Sequence, residues 1–279
     1  MPTSSCPSFL HPPQLPAVRS IGWRHPLNWL ARGWRDLCHA PGLSLAHGLI
    51  LTLIGLAILA FGHNRFWLMA GALSGFLIVG PVVATSLYAV SRALEQGQPV
   101  DLSLVRRTWT RWQSCHAGAG RRGYWCLVQF GLLLSLAATG WVLVSASLIT
   151  LLSPVRIATP ADFLQHVVLA RDGQLFVLWM ALGSFLAAPI FASSVVAMPL
   201  LLDRRVTVRQ AVLTSWSAVL VNPGPLALWA ALIVLLTLLG LGSWLLGLVL
   251  VMPLLGHASW HAYRDLVDAR DFEVREVPA

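Results

Sequence analysis

Six long stretches of this chain contain no aspartate, glutamate, lysine or arginine: residues 43–61, 66–91, 124–152, 175–202, 226–241 and 244–263. A helix rises about 1.5 Å per residue, so roughly twenty residues cross a ~30 Å hydrocarbon core. Each stretch is close to that length or above it. The third and fourth are longer and must tilt, kink or protrude, and the turn Gly240-Leu-Gly-Ser243 separates the fifth from the sixth. With 57% hydrophobic and only 11% charged residues, against roughly 25% charged in a soluble domain, the chain has more apolar surface than a soluble core of its size could absorb. The predicted class is all-α: a polytopic membrane protein of six transmembrane helices, whose first partner is the lipid bilayer.

Arginine sets the orientation. All nineteen basic residues are arginine, whose planar fork suits lipid phosphate. Sixteen of them lie before the first span, after the second, after the fourth or after the sixth; only Arg65, Arg156 and Arg171 fall on the other side. The positive-inside rule then places both termini in the cytoplasm. A net charge of +8 needs no nucleic acid to explain it, because these arginines flank the spans. Cys6, Cys38, Cys115 and Cys126 show neither a CxxC pair nor metal-ligand spacing and read as free thiols.

Residues 1–25, rich in Pro and Ser without an apolar signal region, read as a disordered tail. The membrane domain spans 26–268, and 269–279 is a C-terminal tail. A Trp-bearing amphipathic helix precedes each pair of spans. In 26–39, Leu27, Leu30, Ala31, Trp34, Leu37 and Cys38 follow helical spacing, with Arg32, Arg35 and Asp36 elsewhere on the wheel. In 101–113, Leu102, Val105, Trp109 and Trp112 share a face and Asp101 is the N-cap. In 207–221 the face is Val208, Val212, Trp216 and Val219. Such helices lie in the membrane interface. The second span of each pair holds a proline (Pro81, Pro189, Pro253) and is followed by an arginine (Arg92, Arg204, Arg264). The expected architecture is an internal repeat of three hairpins, each led by an interfacial helix.

Pro253 frees the carbonyl of Val249 and Pro81 that of Leu77, marking either packing kinks or a cavity. Gly71 and Gly75 form a GxxxG pair suited to close helix approach. His257 and His261, four residues apart, share one helix face. With His47 of the first span they could hold a metal or haem. Alternatively they anchor at the interface beside Trp260, Tyr263 and Arg264, and no span offers a carboxylate to complete a metal site. Asp203 and Arg204 form a polar cluster at a span end, read as an interfacial anchor. There is no Gly-x-Ser-x-Gly elbow, no HExxH and no paired carboxylates, so no catalytic residue is assigned.

The stretch Gly256-His-Ala-Ser-Trp-His-Ala-Tyr-Arg264-Asp-Leu-Val resembles the signature of a bacterial family, domain of unknown function 2189. So do Gly80-Pro81 with Leu87-Tyr88 and Ser91-Arg92, Met198-Pro199 with Leu202-Asp203-Arg204, Trp29-Leu30 with Gly33-Trp34, and Asn222-Pro223. This resemblance extends over about residues 20–268. It implies a polytopic protein of the bacterial inner membrane, in a family some of whose members are labelled putative cytochrome c oxidase. His47 stands where that family shows an aromatic residue. Three roles are compatible with these features: a non-enzymatic scaffold or assembly protein with membrane-protein partners or copies of itself, a transporter or channel for a small neutral solute, and a haem- or metal-binding subunit. The first expects no cofactor.

Overall fold

The computed structural model describes residues 15–62, 71–72, 75, 84–110 and 122–275. Its helices are α1 His25–His39, α2 Pro41–Gly62, α3 Thr85–Glu95, α4 Leu102–Thr110, α5 Arg122–Leu152, the short α6 Pro160–Phe163 running into a π-turn over Leu164–Val168, α7 Gln174–Ser194, α8 Ala197–Asp203, α9 Val208–Val221, α10 Pro223–Gly242 and α11 Leu248–Leu266. Two strands of two residues each, β1 Ala17–Val18 and β2 Val267–Asp268, pair antiparallel.

Four helical stretches among the described residues are long and apolar enough to cross a membrane: Pro41–Phe61, Gln129–Leu152, Gln174–Asp203 (α7 and α8 together) and Pro223–Gly242. The expected second span lies largely outside the described residues, which rejoin it at Ala84 and α3. The expected sixth differs from the other four. Residues Trp244 and Leu245 take left-handed backbone (φ 56° and 67°), so the helix begins only at Leu248. Its C-terminal half, with His257, His261, Arg264 and Asp265, is too polar to count with them.

α11 is the hub. It packs against α1, α2, α3, α8 and α10, and small residues permit the approach. A Cβ on Gly33 of α1 would sit 2.8 Å from the Ala258 nitrogen, one on Gly48 of α2 would strike the Val249 carbonyl, and one on Gly256 would lie 2.5 Å from Leu87. On α2 the inner face is Ser44, Gly48, Leu51, Thr52 and Gly55, while Leu49, Ile50, Leu53 and Ile54 face outward. Lipid tails are as apolar as leucine, so burying large side chains brings nothing extra; close backbone approach and hydrogen bonds decide the packing face.

The expected faces of the amphipathic helices hold only in part: Leu37 is buried and Val208, Val212 and Val219 pack against the core, while other positions differ. α1 buries Pro26, Trp29, Gly33 and Leu37, and leaves Leu27 and Trp34 exposed at 55% and 47%. α9 buries Ala211, Thr214, Ser215 and Ala218 and exposes Leu213, Trp216 and Leu220. α4 buries Leu104 and Thr108 and exposes Leu102; Trp112 lies outside the described residues. The expected cap at Asp101 does form, accepting from the Leu104 N–H (2.9 Å). Thr207, which was not singled out as a cap, makes a reciprocal capping box with Gln210.

The expected disordered tail is ordered from Leu15 onward. Arg19 donates its N–H to the Leu266 carbonyl (2.8 Å), and Ile21 donates to the Asn222 side-chain oxygen (2.8 Å). At the other end, Arg205 N–H donates to the Glu273 carbonyl and Arg275 N–H to that of Asp203. Both ends of the described chain therefore lie on one side of the helices.

Candidate functional site

The polar groups that close α11 converge on carboxylates and hydroxyls from other helices. A helix presents residues 257, 260, 261 and 264 on one flank, with 263 and 265 beside it. The packed neighbours α1, α2, α3 and α8 each offer a polar end there.

His257 is fully buried. Its Nε2 lies 2.9 Å from Ser44 Oγ on α2 and its Nδ1 lies 2.8 Å from Ser91 Oγ on α3. On the same flank of α11, His261 Nε2 is 2.9 Å from Asp36 Oδ2.

Asp36 is held below the ordinary carboxylate range. Burial is the largest single influence and raises it, but hydrogen bonds from His261 and Ser91 and the neighbouring imidazoles together outweigh it.

Around these contacts stand three more junctions. Trp260 Nε1 donates to Glu95 (3.0 Å), which also takes the Arg264 guanidinium (3.0 Å). Tyr263 OH donates to the buried Asp203 (2.7 Å), which faces Arg92 (3.3 Å) and Arg204 (3.0 Å) as well. Asp265 accepts from Trp29 Nε1 (2.8 Å) and pairs with Arg32. Trp29 itself stands edge-on to Trp229 of α10, centroids 5.5 Å apart. Burial away from water favours such pairing; Arg92 Nε is buried and makes no hydrogen bond, although it lies within ion-pair reach of Asp203.

His257, Trp260, Tyr263, Arg264, Asp203 and Arg204 all find polar partners inside the chain. The two histidines do not converge. Both nitrogens of His257 face serine hydroxyls and His261 faces Asp36, so the pair does not fit the shared bite a metal or an axial haem ligand would need. Among the described residues no three His, Cys, Asp or Glu side chains gather as a metal site. His47 is half-buried on α2, one turn from Ser44. Of the other candidates, Pro253 and Tyr88 are buried and Arg92 half-buried, while Pro81 lies outside the described residues. Ser44, Ser91, Asp36, Glu95, Trp29, Arg32 and Asp265 complete the site without having been assigned to it. Trp29, Ser91 and Asp265 stood in the stretches that resemble the family; for the others the sequence offered only a polar or charged residue near a helix end, which is common everywhere.

Residues 68–203 match a family model described as "Predicted integral membrane protein (DUF2189)". The chain carries a DUF2189 segment. It is an integral membrane protein on that ground and on the four apolar helices. The DUF2189 segment includes Tyr88, Ser91, Arg92, Glu95 and Asp203, whereas α1, α9, α10 and α11 lie outside it. Three of the four junctions therefore join the DUF2189 segment to helices beyond it. No curated protein and no solved structure matches the chain.

Proposed function

We propose that this DUF2189 protein is a non-catalytic scaffold of the bacterial inner membrane, with six spans as three hairpins and both termini in the cytoplasm. One observation carries the reading: the chemically capable groups of α11 are spent on one another's neighbours, fastening α1, α2, α3 and α8 into one plate on the arginine-rich side. What such a plate offers outward is the Trp-bearing faces of α1 and α9. The hairpin repeat is supported by Ala40 and Asn222, which end α1 and α9 with the same backbone (φ −129°, ψ 55° and φ −128°, ψ 52°). Each is followed by Pro-Gly and the next span.

A photo-crosslinking residue at Trp34 or Trp216 in native membranes tests the role. Discrete protein adducts at both positions, and none at Leu143 on the outer face of α5, are expected. A purified protein that passes a small neutral solute across vesicles, or that shows a Soret band, would overturn the reading.

A further inference from the structure

A second feature concerns the C-terminal segment. The side chains of Arg92 on α3 and Arg204, which follows α8, are each only 12% exposed, and both face the carboxyl of Asp203. Among the described residues no other carboxylate lies within ion-pair reach of either, so two guanidinium charges share one countercharge. Asp203 occupies the Nε side of each. Arg204 Nε donates to it (3.0 Å), and Arg92 Nε lies 3.3 Å away without a hydrogen bond. The terminal nitrogens turn to the backbone of the C-terminal segment. Arg204 Nη1 donates to the Phe272 carbonyl (2.9 Å), and both terminal nitrogens of Arg92 reach the single carbonyl oxygen of Arg275 at 3.2 Å.

That last contact is a poor match for a guanidinium fork, which suits two charged oxygens in parallel at about 2.7–2.9 Å. A phosphate monoester offers three acceptor oxygens, one for each of these three terminal nitrogens. The segment in that place is lightly tied. Arg205 N–H donates to the Glu273 carbonyl (2.9 Å) and Arg275 N–H to that of Asp203 (2.8 Å), beside an isolated bridge between Arg204 and Val274. The Arg205–Glu273 ion pair joins side chains 54% and 68% exposed, where such pairs contribute little. Phe272 packs against the core, but Arg270, Asp271, Glu273 and Val274 are exposed. Chain ends held this way open at low free energy.

We infer that Arg92 and Arg204 form a phosphate site covered by the C-terminal segment, and that a phosphate group, on a lipid head or as a soluble ion, displaces the segment and takes its place. The probes are inorganic phosphate and phosphatidic acid, each added to the full-length protein in phosphatidylcholine nanodiscs. Hydrogen exchange at the Arg205 and Arg275 amides, which the covering segment protects, is read by mass spectrometry. Exchange should accelerate about tenfold at a ligand concentration about ten times its dissociation constant for the opened site, while α11 amides stay unchanged. Acceleration by inorganic phosphate supports the site with a soluble ligand; acceleration by phosphatidic acid alone supports it with a lipid head. Arg92→Lys keeps the charge but loses the fork and should abolish the response. Phe272→Ala loosens the segment without touching either arginine, and should lower the ligand concentration needed for half the effect. Unchanged or slowed exchange with both ligands, or equal acceleration by sodium chloride at matched ionic strength, would overturn the site. A full response in Arg92→Lys would overturn the role of the fork.

Discussion

Asp36 and His261 meet at 2.9 Å across 225 positions of sequence, and through them the first helix is fastened to the last. Their side chains are only 15% and 12% exposed, so the contact is shielded from water. Removing one partner leaves the other buried without its mate, at about 1–3 kcal/mol. Asp36→Ala and His261→Ala are each expected to lower the unfolding midpoint in detergent. The double variant should lose less than the sum, and a strictly additive double-mutant cycle would show that the two do not interact.

The same carboxyl predicts a pH dependence. Its folded pKa lies below the unfolded one, so its contribution is complete above the ordinary carboxylate range, about pH 4, and is lost as the pH falls through the lower folded value. On acidification below that range the wild type should lose thermal stability more steeply than Asp36→Asn. Parallel curves would contradict the assignment.

His257 presents a different kind of dependence. Deleting the imidazole strands Ser44 and Ser91 in a buried gap, and His257→Ala should cost about 2–5 kcal/mol. The expected readout is protein abundance in the membrane, reduced in His257→Ala and less so in Ser44→Ala. Normal abundance with normal melting in His257→Ala would argue against a structural role for these contacts.

Glycine contacts give a sharper contrast. Gly48→Ala drives a methyl group into the Val249 carbonyl and should cost about 1–3 kcal/mol or more as overpacking. Gly140→Ala meets nothing within 4 Å and should be neutral or slightly stabilising, since Gly in a helix interior costs about 0.5–1 kcal/mol relative to Ala. Melting of the two variants side by side checks the α2–α11 approach.

Asn222 clasps the N-terminal segment by accepting from the Ile21 N–H and donating to the Arg19 carbonyl (3.0 Å). In Asn222→Ala, protease cleavage between Leu15 and Trp23 should accelerate while the helices stay intact. Unchanged cleavage would mean that β1 holds the segment without this clasp.

Membrane class, the helix breaks at Pro41-Gly42 and Pro223-Gly224, and the cap at Asp101 were legible in the residues because each depends on neighbours within a few positions. The importance of the stretch from His257 to Asp265 was legible too, but its role was not. The amphipathic faces were legible only in part: Leu37 on α1 is buried and Val208, Val212 and Val219 on α9 pack against the core, but Trp34 and Trp216 stay exposed. The buried sides also take in Trp29 and Gly33 of α1 and Ala211, Thr214, Ser215 and Ala218 of α9.

By itself, then, the sequence determined that this chain enters a membrane as helices, since burying so many uncharged apolar residues is a property of composition and run length. Only the tertiary structure decided what the polar end of α11 is for. The partners of His257, His261 and Asp265 lie 166, 225 and 236 residues away. No local pattern specifies them; helix packing brings them within reach, and the cost of burying an unpaired polar group makes those contacts obligatory.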